Sequence, residues 1–229
     1  MLILKLKTYI FILITSIGYG QNTANINEYY SLFDKVVDQK NTGLNNGIVY
    51  KELFRTLQGN HQFSNPKFQL GSVNYDNQKY SNVLLKYDVY SDNLIVKLAN
   101  EVGDDQIILV KSKIESFIIK GHYFIKSPFG FIALVYQNKS MKILKKHKKT
   151  HHEKIKRNNL YSVFKSQYKH ILIYNNEYYI LKNKKSIISI FPLLKKEIIE
   201  FYRNNKLTFK SNPDYFYTNL FKNINNNLK

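Results

Sequence analysis

Across residues 47–183, short apolar runs recur about every 8 to 12 positions between turn-forming residues, the rhythm of an antiparallel β architecture. The clearest alternation places Val83, Leu85, Tyr87 and Val89 on one face and Lys86 and Asp88 on the other. Ser91-Asp92-Asn93 then turns the chain into Leu94 to Leu98, which predicts a hairpin. Further strands are expected at Gln106 to Val110, Ile114 to Lys120, Tyr123 to Lys126, Phe129 to Gln137 and Met141 to Lys145. Gly103-Asp104-Asp105, Gly121-His122, Ser127-Pro128 and Asn138-Lys139 punctuate them. A second hairpin joins His170 to Tyr174 and Tyr178 to Lys182 across Asn175-Asn176-Glu177. Connections this short make neighbours antiparallel, so a meander is the simplest topology.

At about Lys184 the period changes to that of a helix. Leu194, Ile198 and Phe201 recur at i, i+4 and i+7, behind Pro192 and before the stop signal Asn204-Asn205. Phe216, Leu220 and Ile224 form a second stripe behind Asn212-Pro213-Asp214, which reads as an N-cap, a proline at the first helical position and an acidic first turn. The expected fold is mainly β: an antiparallel meander, as a curved sheet or partly closed barrel, with a short C-terminal helical pair packed on it. Residues 1–20 are expected to be a signal peptide, 21–46 a polar lead-in, 47–183 the β domain and 184–229 a basic helical tail. In the lead-in, Tyr30, Phe33 and Val37 recur at helical spacing.

The signal-peptide reading rests on Lys5 and Lys7 as a positive n-region, Tyr9 to Ile17 as an apolar h-region, and Gly18 and Gly20 as small residues at −3 and −1 before Gln21. The apolar run is far shorter than the roughly 20 residues that span a bilayer. No Cys follows it, which excludes a lipid-modified N-terminus. The expected product is soluble, without a transmembrane segment after cleavage, and periplasmic or secreted.

Composition narrows the chemistry. With no Cys there are no disulfides, no cysteine nucleophile and no thiolate metal site. The 19 Tyr and 15 Phe, without any Trp, favour half-buried pleated surfaces. The formal charge is +19, and removal of Lys5 and Lys7 leaves +17. Residues 140–229 hold 20 basic against 5 acidic side chains, whereas residues 21–139 hold 13 against 11. Such asymmetry points to an anionic partner: lipopolysaccharide, an acidic polysaccharide or an envelope protein. AT-rich codons would also raise the Lys content. Only Arg55, Arg157 and Arg203 supply the guanidinium fork that suits phosphate recognition, which argues against nucleic acid.

No G-x-S-x-G elbow, phosphate-cradling glycine loop, H-E-x-x-H or calcium-loop spacing occurs, and no cofactor is expected. Asp88 and Asp92 flank a hairpin and Asp104-Asp105 occupy a turn. These carboxylates carry the alternative reading, a hydrolase acting on an envelope polymer, against the plainer one of exposed turn acids. Glu197 and Glu200, beside Lys195 and Lys196, read as a solvated helix face. Residues 141–157 stand out, with eight cations: Lys142, Lys145, Lys146, Lys148, Lys149, Lys154, Lys156 and Arg157. They could contact an anionic surface or form a solvated hairpin loop. His147 and His151 would share a metal only on a helix, where the surrounding charge opposes a divalent ion. Tyr87, Tyr90, Tyr123, Tyr136, Tyr174, Tyr178 and Tyr179 read mostly as core rather than as an exposed ladder.

Gly71 to Lys97, Lys113 to Lys126 and Ser189 to Lys210, the last with the F-P-x-x-K-K flavour of Phe191, Pro192, Lys195 and Lys196, resemble a group of uncharacterised exported proteins of Gram-negative bacteria. The resemblance implies export and a non-catalytic role. The expectation from sequence is therefore a non-enzymatic binding or envelope-associated accessory protein that touches an anionic surface through the eight cations of residues 142–157.

Overall fold

A computed structural model describes residues 43–99 and 104–228. The predicted signal peptide, residues 21–42 of the lead-in and Gly103 lie outside the described residues. Twelve strands among them form one sheet: β1 (Gly47–Val49), β2 (Thr56–Gln58), β3 (Gln69–Tyr75), β4 (Gln78–Asp88), β5 (Asn93–Ala99), β6 (Asp104–Leu109), β7 (Ile114–Ile119), β8 (His122–Ser127), β9 (Gly130–Gln137), β10 (Met141–Lys156), β11 (Asn159–Tyr174) and β12 (Glu177–Leu181). Four helices follow: α1 (Lys184–Ile190), α2 (Lys195–Asn204), α3 (Lys206–Ser211) and α4 (Pro213–Asn227).

The sheet runs β1-β6-β5-β4-β3-β7-β8-β9-β10-β11-β12 and is not closed, with β1 and β12 at its ends. It is antiparallel except where short β2 lies parallel to β11 at Ser162 and Val163. The chain makes two meanders rather than one, β3 to β6 and β7 to β12, joined side by side at the β3–β7 ladder. The link between them forces curvature. Leu109 and Ile114 are joined by Val110 to Lys113 alone, a reach of at most about 18 Å even when fully extended, and Lys111–Lys113 are wound into a 3₁₀ turn. In a flat sheet β6 and β7 would lie four strand spacings apart, roughly 19 Å. The first meander therefore curls, and its concave face encloses the larger core, in which Tyr75, Leu85, Tyr87, Leu94, Phe117 and Phe124 are 0–1 % exposed.

Four hairpins close with two residues of positive φ: Asp76-Asn77, Lys120-Gly121, Arg157-Asn158 and Asn175-Asn176. This is the type I′ geometry that suits strand twist, and Asn tolerates it better than other non-glycine residues. Four of the 27 Asn residues thus serve these turns. Gly130, at φ +86°, is needed for space as well: a Cβ there would sit 2.1 Å from Asp92 Oδ2.

The helical region holds more than the expected pair. Asn183 and Ser186 form a capping box that starts α1, an element the Leu194-based pattern missed. A turn of 3₁₀ helix at Pro192–Leu194 leads into α2, and Asn212 caps α4 through Tyr215 N–H, as its Asn-Pro-Asp start predicts. Phe216, Leu220, Phe221 and Ile224 of α4 pack with Ile187, Ile198, Met141, Ile143 and Leu172 into a second core. A third, small cluster of Ile132, Leu144 and Ile171 lies on the opposite face of β9–β11. No helix of the described residues is long and apolar enough to cross a membrane.

Candidate anion-binding face

Strands β10 and β11 pair without a break from Met141↔Tyr174 to Lys156↔Asn159. The expected strand of Met141 to Lys145 is therefore 16 residues long, and the basic segment is neither helix nor loop. β9 covers one edge of β10 only from Lys142 to Lys145, so the distal half of the hairpin runs on past β9, with only short β2 beside β11 at Ser162 and Val163. His147 and His151 share a face of a strand, about 13 Å apart. That spacing is too wide for one ion, and no group of His and carboxylates able to hold a metal occurs among the described residues.

Alternation divides the eight cations. Lys145, His147, Lys149 and His151 face inward, with His170, Tyr168, Ser166 and Phe164 opposite them. Lys145 Nζ lies 2.9 Å from Asp214 Oδ2 and 4.5 Å from the centre of the Tyr168 ring. Asp214 Oδ1 is 2.7 Å from His170 Nε2. Burial would raise the Asp214 carboxyl, but the hydrogen bonds from His170 and Lys145 outweigh it and hold its pKa at about 2. Burial, with Lys145 and His122 nearby, depresses His147 to about 4. Its ring packs edge-on to Phe63, and its Nε2 is buried without a hydrogen-bond partner. Lys149 donates to Ser166 Oγ at 2.8 Å, and burial lowers its pKa. His151 stacks on Phe164 at 4.8 Å, within a group that includes Phe54 and Tyr90.

The opposite face carries Lys142, Lys146, Lys148, Lys154 and Lys156 from β10, and Lys165 and Lys169 from β11. Lys146 is committed: its ammonium lies 2.9 Å from Phe131 O and 3.3 Å from Asp92 Oδ1. The other six are exposed and form no ion pair among the described residues, and no carboxylate stands on this face of the hairpin. Lys146 faces Lys169 directly across the ladder, a like-charged pairing that Asp92 offsets on the Lys146 side. Arg157 sits in the exposed turn, and Arg55 lies over the Tyr161 ring at 4.6 Å on the same side. The strip extends about 46 Å from Lys142 to Lys156. Three of the eight predicted residues, Lys145, Lys146 and Lys149, thus serve internal contacts. Sequence reasoning missed Lys165, Lys169 and Arg55, although the even, four-residue spacing of Lys165 and Lys169 puts both on one face once β11 is known to be long.

Beside the strip runs a groove of about 420 Å³. Ile171 is buried within it, while Phe129, Tyr178 and Ile180 are 54, 47 and 45 % exposed. Lys148 and Lys169 line it too. Around the edge of β11, a cavity of about 500 Å³ is lined by Tyr168, His170, Phe209, Tyr217, Lys182 and Lys210. The tyrosines named from sequence divide: Tyr87 is core, Tyr136, Tyr174 and Tyr179 are half-buried, and Tyr90, Tyr123 and Tyr178 are exposed.

The turn carboxylates are internal braces. Asp88, 4 % exposed, accepts from Ser91 Oγ at 2.6 Å and lies 3.1 Å from His61 Nδ1, whose Nε2 is 2.9 Å from Glu52. The Nδ1 contact is not aligned as a hydrogen bond. Asp92 accepts from the Tyr87 hydroxyl at 2.6 Å and from Phe131 N–H at 3.2 Å, and pairs with Lys111 and Lys146. Neither lines the groove or the cavity described above. The side chain of Asp104 lies outside the described residues. Fold and face together define an open, curled antiparallel sheet with a helical cap and a long basic hairpin. Compared with known proteins, the chain matches no family model, no curated protein and no solved structure.

Proposed function

We propose that this is an exported, non-catalytic binding protein that lays the outward face of its β10–β11 hairpin on an anionic envelope surface, such as lipopolysaccharide or an acidic polysaccharide. The observation that carries this reading is the strip of Lys142, Lys148, Lys154, Lys156, Lys165 and Lys169: six exposed ammonium groups on one face of the β10–β11 hairpin, which carries no carboxylate on that face. Such a surface attracts polyanions through a diffuse potential that salt screens within about 8–10 Å. Export rests on the n-region, h-region and small residues of the first 20 positions. Binding of the purified protein to heparin and to lipopolysaccharide, measured across a salt series beside a variant with these six lysines replaced by Gln, tests it. Affinity should fall steeply with salt and be lost in the variant. Weak binding of equal strength in both proteins would overturn the reading.

A further inference from the structure

We infer that the groove beside the strip holds the hydrocarbon chain of a single-chain anionic lipid, a fatty-acid carboxylate, with its headgroup against Lys148 and Lys169. The inference rests on the reading of the hairpin face as an anion-binding surface and adds the chemistry of the bound molecule. Three large apolar side chains, Phe129, Tyr178 and Ile180, stand exposed side by side around the buried Ile171, with the Phe129 and Tyr178 rings in edge contact at 5.7 Å. An exposed apolar patch with a polar rim marks an interaction site. Its volume, about 420 Å³, falls within the roughly 300–1,000 Å³ of small-molecule sites, which are mostly apolar with a few polar groups that orient the ligand.

Charge selects the occupant. Lys148 and Lys169 are exposed and have no acidic partner among the described residues, whereas Lys146 is already held by Asp92. A second copy of this face, docked by two-fold symmetry, would set these lysines against one another, and a cationic segment would be repelled as well. An acyl chain with a terminal carboxylate satisfies both halves of the groove: methylenes cover the apolar side chains and the carboxylate neutralises the rim.

Calorimetric titration of the full chain with octanoate, decanoate and dodecanoate, each below its micelle concentration, tests the inference. Affinity should rise about fourfold for each added methylene that enters the groove. Ile180→Glu, at an exposed position, should abolish fatty-acid binding while its thermal unfolding and heparin binding stay unchanged. Lys148→Gln with Lys169→Gln should weaken binding of the carboxylates and leave a neutral alkyl maltoside unaffected. Absence of fatty-acid binding with heparin binding intact would overturn this inference and leave the broader function standing. Loss of the salt-dependent polyanion binding would remove the broader function whatever the lipid result. Equal affinity for the neutral alkyl maltoside would overturn the role of the lysines. A concentration-dependent dimer abolished by Ile180→Glu, without lipid binding, would assign the groove to a second copy instead.

Discussion

Asp92 and Gly130 show how far one carboxylate can brace this sheet. The carboxylate ties the β4–β5 turn to the start of β9, and it fits because Gly130 has no Cβ. Gly130→Ala, strained by a φ of +86° and by the clash with Asp92, should destabilise the protein by about 2–3 kcal/mol in urea unfolding. In an Asp92→Ala background the same change should be milder, because only the backbone strain remains, so the two losses should not add. His147 makes a second prediction. Its folded pKa of about 4 lies below the ordinary value of 6.5, so the unfolded chain takes up the proton first as pH falls. The stability tied to its neutral ring is full above about pH 6.5 and is lost progressively towards pH 4. At about 1.4 kcal/mol per pKa unit, that is a loss of about 3 kcal/mol. His147→Phe, which keeps a ring against Phe63 and Phe124, should flatten the stability–pH curve across that window. An unchanged slope would mean that other groups carry it.

At the scale of elements, the β10–β11 hairpin governs what the molecule presents outward, and its turn is not well chosen for stability. Arg157 adopts φ +49° at the first position of a type I′ turn, where Asn or Gly is favoured and a side chain such as Arg is strained. Arg157→Asn with Asn158→Gly should raise the unfolding temperature by a few degrees, equivalent to about 1 kcal/mol. A decrease would show that Arg157 makes stabilising contacts beyond its turn. The same hairpin marks where sequence pattern stops being informative. Val83 to Val89 could be read correctly because one face meets an apolar core. After Lys145 the side chains of β10 are polar on both faces: the inward ones, His147, Lys149 and His151, meet Phe63, Ser166 and Phe164 with histidine and lysine instead of aliphatic residues, so the alternation vanishes although the strand continues. α4 was legible because its cap and its stripe agree. α1 was not, since its start is set by Asn183 and Ser186, which sequence alone reads as a loop. The basic character of the site was visible from composition. Its division into inward and outward cations was not, because it depends on register.

Across the molecule, two apolar cores, one inside the curled first meander and one beneath the helices, are separated on the same face of the sheet by Lys145, His147, His170 and Asp214. Asp214 is the group that spans this seam: it belongs to the first turn of α4 and accepts from two side chains of the sheet. Because its pKa is depressed to about 2, its contribution is present above roughly pH 4 and is lost as pH falls through 2, with a magnitude of about 2 kcal/mol. Asp214→Asn removes the charge that Lys145 and His170 face while leaving Phe216, Leu220 and Ile224 packed against Met141 and Ile143. If the two cores are separate cooperative units, the variant should accelerate amide exchange in α1 to α4 and β12 by ten- to a hundredfold, leaving β3 to β9 near wild-type protection. Equal acceleration throughout would mean that the sheet transmits the loss and that both cores open together. In that case the long hairpin, whose proximal end lies in the second core and whose inward face runs on past the seam, is the element that couples them.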